Sequence, residues 1–180
     1  MNRRLFITIH LYPSSFFAAA VLLVAISGGL YLVGVKGEVA ETVVTSLPKA
    51  GRGPLDALSK ADMQALLADA GVEDFDFDYV RQSGKRAYTR PTSRTHYLVD
   101  ATGPAVDIIR REPDLQARMI ELHKGHGPTV FKTFQKVFAL GMVFIILSGL
   151  WLGLTAPRLV RNTTISFGAG LALFLVLVLA

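Results

Sequence analysis

The sequence predicts an α-helical membrane protein with three transmembrane helices and a small α+β extramembrane domain. Three observations carry that fold class. First, Phe16–Val35, Val137–Leu154 and Ile165–Ala180 contain no charged residue. Twenty helical residues at 1.5 Å each measure about 30 Å, the thickness of a bilayer's hydrocarbon core. Second, Lys36–Lys124 holds all 14 Asp and Glu residues and 13 of the 19 Lys and Arg residues, and so is close to neutral at −1. Third, that segment switches between helical and strand periodicities, as a small mixed domain does.

The net charge of +5 therefore belongs to the flanks of the apolar stretches: Arg3, Arg4, Lys132, Lys136, Arg158 and Arg161. A basic pI of this origin gives no concentrated basic face on the soluble part, and nucleic acid is not an expected partner. Arg3 and Arg4 precede the first span, and Arg158 and Arg161 lie between the second and third. By the positive-inside rule that side is cytoplasmic, which places the large domain in the periplasm of a bacterial inner membrane. Lys132 and Lys136 run against the rule on the outer side. Arg3-Arg4-Leu5-Phe6-Ile7 resembles a twin-arginine export pattern. The apolar run exceeds the roughly 7–15 residues of a signal core, however, and no small-x-small cleavage site follows, so a retained anchor is expected. The chain has no cysteine; disulfides and thiolate metal sites are excluded.

The expected organisation is residues 1–36 as tail and first helix, 37–127 as the outer domain, 128–156 as the second helix, and 157–180 as cytoplasmic connection and third helix. Within the domain, Gly51, Gly53 and Pro54 read as a linker. Ser59, followed three residues later by Asp62, is a capping pattern. Met63, Leu66, Leu67 and Ala70 then share one helical face, and Gly71 ends the helix. Phe75, Phe77 and Tyr79 alternate with Asp74, Asp76 and Asp78 in strand fashion, and the aspartates read as a solvated face without the glycine and glutamate of an EF-hand loop. Ser83-Gly84-Lys85 reads as a turn, Thr95–Ala101 as a strand, and Val106–Ile109 as another after the turn at Thr102-Gly103-Pro104. The order is a helix and then a meander of three or four strands, one face covered by the 63/66/67/70 stripe. After Pro113, Leu115, Met119, Ile120 and Leu122 return to a helical period, which Gly125, Gly127 and Pro128 interrupt before the second span.

Leu122-His123-Lys124-Gly125-His126-Gly127, followed by Ile146-Leu147-Ser148-Gly149-Leu150-Trp151, resembles the closing half of the PepSY-associated transmembrane family. There, a histidine near the helix entrance precedes an apolar span ending in Ser-Gly-Leu. The first span echoes the pattern with Ile9-His10-Leu11 and Ile26-Ser27-Gly28-Gly29-Leu30, and Tyr97-Leu98-Val99-Asp100 with Thr102-Gly103 resembles the last hairpin of a PepSY domain. The resemblance covers roughly residues 5–156. It implies a PepSY-like outer domain. Larger members are similar to ferric-siderophore or other membrane reductases that bind haem through span histidines, whereas PepSY domains alone are associated with peptidase binding or inhibition and with accessory roles. This chain departs from the reductase pattern in having three spans and four histidines.

Those histidines are His10, His96, His123 and His126. Two imidazoles on one haem iron need ring nitrogens about 4 Å apart. The expected topology puts His10 at the inner end of the first span and His123 and His126 at the outer end of the second, about 30 Å away. Haem through these residues therefore needs ligands from a partner. A metal at His123 and His126 lacks an obvious tetrahedral set, although Glu121 is near, and interfacial polar side chains are the plain alternative. Gly28 and Gly29, and Gly149 and Gly153, are small residues of the kind that let membrane helices approach. No nucleophile–base pair, phosphate loop or flavin fingerprint appears. The expectation is a non-catalytic accessory membrane protein, self-associating or docked on another membrane subunit; a haem-binding electron-transfer subunit and a peptidase regulator are the alternatives.

Overall fold

The computed structural model describes residues 3–50, 55 and 57–180. The proposed linker residues Gly51, Gly53 and Pro54 lie outside the described residues. The elements are α1 (Arg3–Leu32), β1 (Val39–Pro48), α2 (Lys60–Asp69), β2 (Tyr79–Ser83), β3 (Arg86–Arg90), β4 (His96–Asp100), β5 (Ala105–Pro113), α3 (Leu115–His123), α4 (Thr129–Leu154) and α5 (Val160–Leu179). Among the described residues three helices, α1, α4 and α5, are long and apolar enough to cross a membrane. The chain divides into two compact units, Leu22–Gln135 and Met1–Val21 with Lys136–Ala180.

The first unit holds an antiparallel sheet in the order β1-β5-β4-β3-β2. Helix α2 forms where the capping pattern places it: Ser59 accepts from the Asp62 amide, and the Asp62 carboxylate accepts from the Ser59 amide. Met63, Leu66 and Leu67 are buried against Phe77, Val99, Val106 and Ile108. The register explains the choice of face: Ala87 lies opposite Val99 and Val99 opposite Ile108, so alternate residues of three strands meet the helix.

Two readings of this unit need correction. Strand β1 was not foreseen. It pairs with β5 along its whole length, with a bulge between Val43 and Thr45 that breaks the period of two. The expected strand face at Phe75, Phe77 and Tyr79 is also absent, because β2 begins only at Tyr79 and Asp74 has φ +54°. Phe77 is buried and Phe75 stacks edge-on to Tyr97 at 4.7 Å, while Tyr79 is exposed beneath the Lys132 ammonium, 4.3 Å from the ring centre. Nor are the three aspartates equivalent. Asp78 accepts from the Thr129 amide and hydroxyl, each at 2.7 Å, and so closes the first turn of α4. Those bonds hold its carboxyl below the ordinary carboxylate value.

In the second unit α1 and α4 run antiparallel. His10 meets Gly149 and Ser148, and Phe17 lies over Gly141 and packs on Phe138 at 5.6 Å between ring centres. A Cβ at Gly141 would collide with the Phe17 ring, so close approach requires glycine there. Gly153 meets Thr163, which joins the end of α4 to the start of α5. Among the described residues α5 has none that is buried.

Candidate functional site

The candidate site within the first unit is the sheet face opposite α2. Tyr88 lies opposite Leu98, Leu98 opposite Ile109, and His96 opposite Arg111. Arg90, two residues beyond Tyr88, falls on the same face. His96 thus stands on the central strand with a guanidinium strand on either side. Helix α3 covers this face with Ala117 and Ile120, and its start is fixed by Asp114. That carboxylate accepts from the Ala117 amide at 2.7 Å and the Glu38 amide at 2.9 Å, while the Asp114 amide donates to the Glu38 carbonyl. The crossing demands Gly37: it has φ +72°, and a Cβ would strike the Ala117 amide.

Between these elements lies a cavity of about 400 Å³, lined by Lys36, Arg90, His96, Arg111, Glu121 and Lys124 among others. Arg90 donates to Thr92 Oγ1 at 2.7 Å, Thr92 donates to Glu121, and His126 Nδ1–H donates to Glu121 at 2.8 Å. Burial alone would raise the Glu121 carboxyl. The hydrogen bonds from Thr92 and His126, with the charges of His126 and Lys124, outweigh it and hold the group below its ordinary value. Arg111 reaches Glu41 at 2.5 Å and lies over the Tyr88 ring.

Two polar features distinguish this face. The Nε atoms of Arg90 and Arg111 are buried and, among the described residues, have no hydrogen-bond partner. Such donors cost about 1–3 kcal/mol each while unsatisfied. Further, His96 is 3% exposed, and its Nδ1 lies 2.9 Å from the Arg94 carbonyl. A carbonyl only accepts, so Nδ1 carries the proton. Burial, with the charges of Arg111 and Arg90, depresses the pKa of this ring against the opposing pull of the Arg94 carbonyl. His96 is therefore neutral near pH 7 and offers Nε2 as an acceptor among cations.

The other sequence-predicted residues form two local pairs, one in each unit. His10 Nδ1 lies 2.8 Å from Ser148 Oγ, and His123 Nδ1 lies 3.1 Å from Ser27 Oγ. Each serine hydroxyl already donates to a carbonyl of its own helix, Ser148 to Ile145 and Ser27 to Leu23. Each histidine must therefore donate from Nδ1. The residue after each serine is the glycine on which the ring lies. A Cβ would stand 3.1 Å from His10 Cε1 at Gly149 and 3.2 Å from His123 Cε1 at Gly28. Gly29 has open space where its Cβ would be. His123 ends α3 and His126 lies beyond it, bonded to Glu121, so these two histidines take different partners.

Each pair engages one ring nitrogen, Nδ1, and within the second unit His10 is the one histidine, so a second imidazole for an iron at His10 has to come from outside that unit. Among the described residues no three His, Asp or Glu side chains converge as a metal cluster. Sequence reading missed Arg90, His96 and Arg111 as a group, because their association follows from strand register and not from any local motif. No family model matches the chain, and neither does any curated protein or solved structure.

Proposed function

We propose that this is a multi-pass protein of a bacterial inner membrane, a non-catalytic accessory subunit with a PepSY-like periplasmic interaction domain. Its spans dock on another membrane protein or on a second copy. The observation that carries this reading is α5. Its twenty residues include none that is buried, and Gly168 and Gly170 have nothing within 4 Å of where a Cβ would lie. A helix apolar on all sides takes lipid or protein as its neighbour. His10 and His123, the histidines outside the cavity, are held in hydrogen bonds to Ser148 and Ser27. The arrangement of Gly149 against His10 and Gly153 against Thr163 gives those glycines work inside the chain, which moves the expected docking face to α5.

Crosslinking and native mass measurement in mild detergent test the reading; a larger complex or an oligomer is expected, and a strictly monomeric protein sinks it. Because the chain lacks cysteine, single cysteines report topology without background. Lys85→Cys should react with an impermeant maleimide from the periplasm and Asn162→Cys should not.

A second reading, a haem-binding subunit of a membrane electron-transfer or ferric-reductase system, is favoured by one observation. His10 and His123 each donate from Nδ1 and leave Nε2 free, the arrangement that ligating histidines adopt. A partner chain would complete the ligand set. A Soret band in the purified complex that His10→Ala removes would support this reading against the first.

A further inference from the structure

The cationic cavity does not stand alone. A second, largely apolar groove of about 380 Å³ adjoins it, lined by Ser27, Gly28 and Leu32 and sharing Tyr31, Ile120 and Lys124 with the cavity. Both lie within the unit Leu22–Gln135. The last turn of α1 carries Tyr31, whose ring has the Lys36 ammonium 5.1 Å and the Lys124 ammonium 5.5 Å from its centre. Tyrosine with lysine at the end of an apolar helix is the composition of the headgroup level.

We propose that the cavity and groove together bind an anionic phospholipid, with a phosphoglycerol headgroup among Arg90, His96 and Arg111 and an acyl chain along the groove at Leu32 and Gly28. The inference rests on α1 being a membrane span.

Charge and shape both select this ligand. Lys36, Arg90, Arg111 and Lys124 line the cavity with Glu121, and Glu41 pairs with Arg111, so four cations face two carboxylates and an anion is favoured. Arg90 and Arg111 stand on β3 and β5, on either side of the strand that carries His96. A phosphate oxyanion matches guanidinium forks. The free hydroxyls of a glycerol head add donors for a neutral acceptor, and His96 Nε2 is one. A zwitterionic phosphocholine head would set a quaternary ammonium beside these cations, which the site disfavours. A cavity of this volume is within the usual range for small-ligand sites.

The full-length protein, delipidated in an uncharged detergent, would be titrated with dioctanoyl phosphatidylglycerol, dioctanoyl phosphatidylcholine and glycerol phosphate, with binding read by native mass spectrometry and by the rise in melting temperature. Saturable binding of phosphatidylglycerol is expected, at least tenfold tighter than either comparator. Arg111→Gln should weaken it about tenfold, and Lys36→Gln, at an exposed rim position, a few-fold. The ranking of the three ligands on the native chain stands as the test even if the arginine variant fails to fold. Equal binding of the two lipids overturns the proposal. Glycerol phosphate binding as tightly as phosphatidylglycerol also overturns it and reassigns the cavity to a soluble phosphoester. Release of the protein from membranes by alkaline carbonate would defeat the membrane reading itself; retention with no lipid preference would defeat this inference alone.

Discussion

The two faces of one sheet are built from alternate residues of the same strands, yet they obey different rules. Toward α2 the side chains are Ala87, Val99, Val106 and Ile108, all buried with Met63, Leu67 and Phe77. Toward α3, Leu98 is packed beneath Ala117 and Ile120, but Arg90, His96 and Arg111 share the same face and line a cavity. Apolar close packing is what stabilises a small domain. Buried guanidinium groups with unsatisfied nitrogens work against it. The contrast is that of an apolar packed face against a polar face with a cavity, separated by a single residue of register.

The largest effect should come from the packed face. Phe77→Ala removes a ring that is 1% exposed and sits against Met63 and Leu67. It should cost about 3–5 kcal/mol, read as a loss of thermal stability of the purified protein. A loss below about 1 kcal/mol would mean that the α2 face is loosely packed and that the contrast is misdrawn.

A smaller effect is expected where the sheet unit meets the start of α4. Asp78→Ala deletes both hydrogen bonds to Thr129 and should cost about 0.5–2 kcal/mol, as lost helix caps do. Asp76→Ala, two residues away on an exposed side chain, should stay within about 0.5 kcal/mol. Comparable losses at both positions would show that charge alternation, not capping, is what matters in this segment.

These faces were unequally legible. Helix α2 was readable because its signals are local: a serine, an aspartate three residues on, an apolar stripe and a terminal glycine. Strand β1 was not, because it is an edge strand whose exposed residues do not alternate and whose bulge shifts the period. The cavity was invisible for a different reason. Arg90 and Arg111 come to one face only through their flanking of β4, and no spacing along the chain encodes that. The histidine and Ser-Gly elements of the two span ends were visible as repeated patterns. That His10 pairs with Ser148 and Ser27 with His123 required tertiary structure, since the partners are 138 and 96 residues apart.

On the α3 face, Arg111→Gln should change stability by no more than about 1 kcal/mol in the lipid-free protein. The ion pair with the half-exposed Glu41 is worth little, and the unsatisfied Nε is removed with it. A loss as large as that of Phe77→Ala would make Arg111 a structural residue and remove the difference between the faces.

The last distinction is in pH. His96 is buried beside Arg90 and Arg111, with Glu121 across the cavity, and its folded pKa lies below its ordinary value of 6.5, chiefly through burial. The unfolded chain therefore binds the His96 proton first as pH falls. The stability contributed by neutral His96 is fully present above about 6.5 and is lost as pH drops through the lower folded value. The carboxylates Asp78, Asp100, Asp114 and Glu121 also have depressed folded values, so their contributions are present above the ordinary carboxylate range and are lost at still lower pH. Thermal unfolding between pH 7.5 and 5 thus isolates the histidine from the acids. The native protein should lose stability across that window, and His96→Gln, which keeps a polar side chain without titrating, should lose less. Identical slopes would mean that His96 is hydrated or already charged in the folded state, and the cavity would then lack its neutral acceptor.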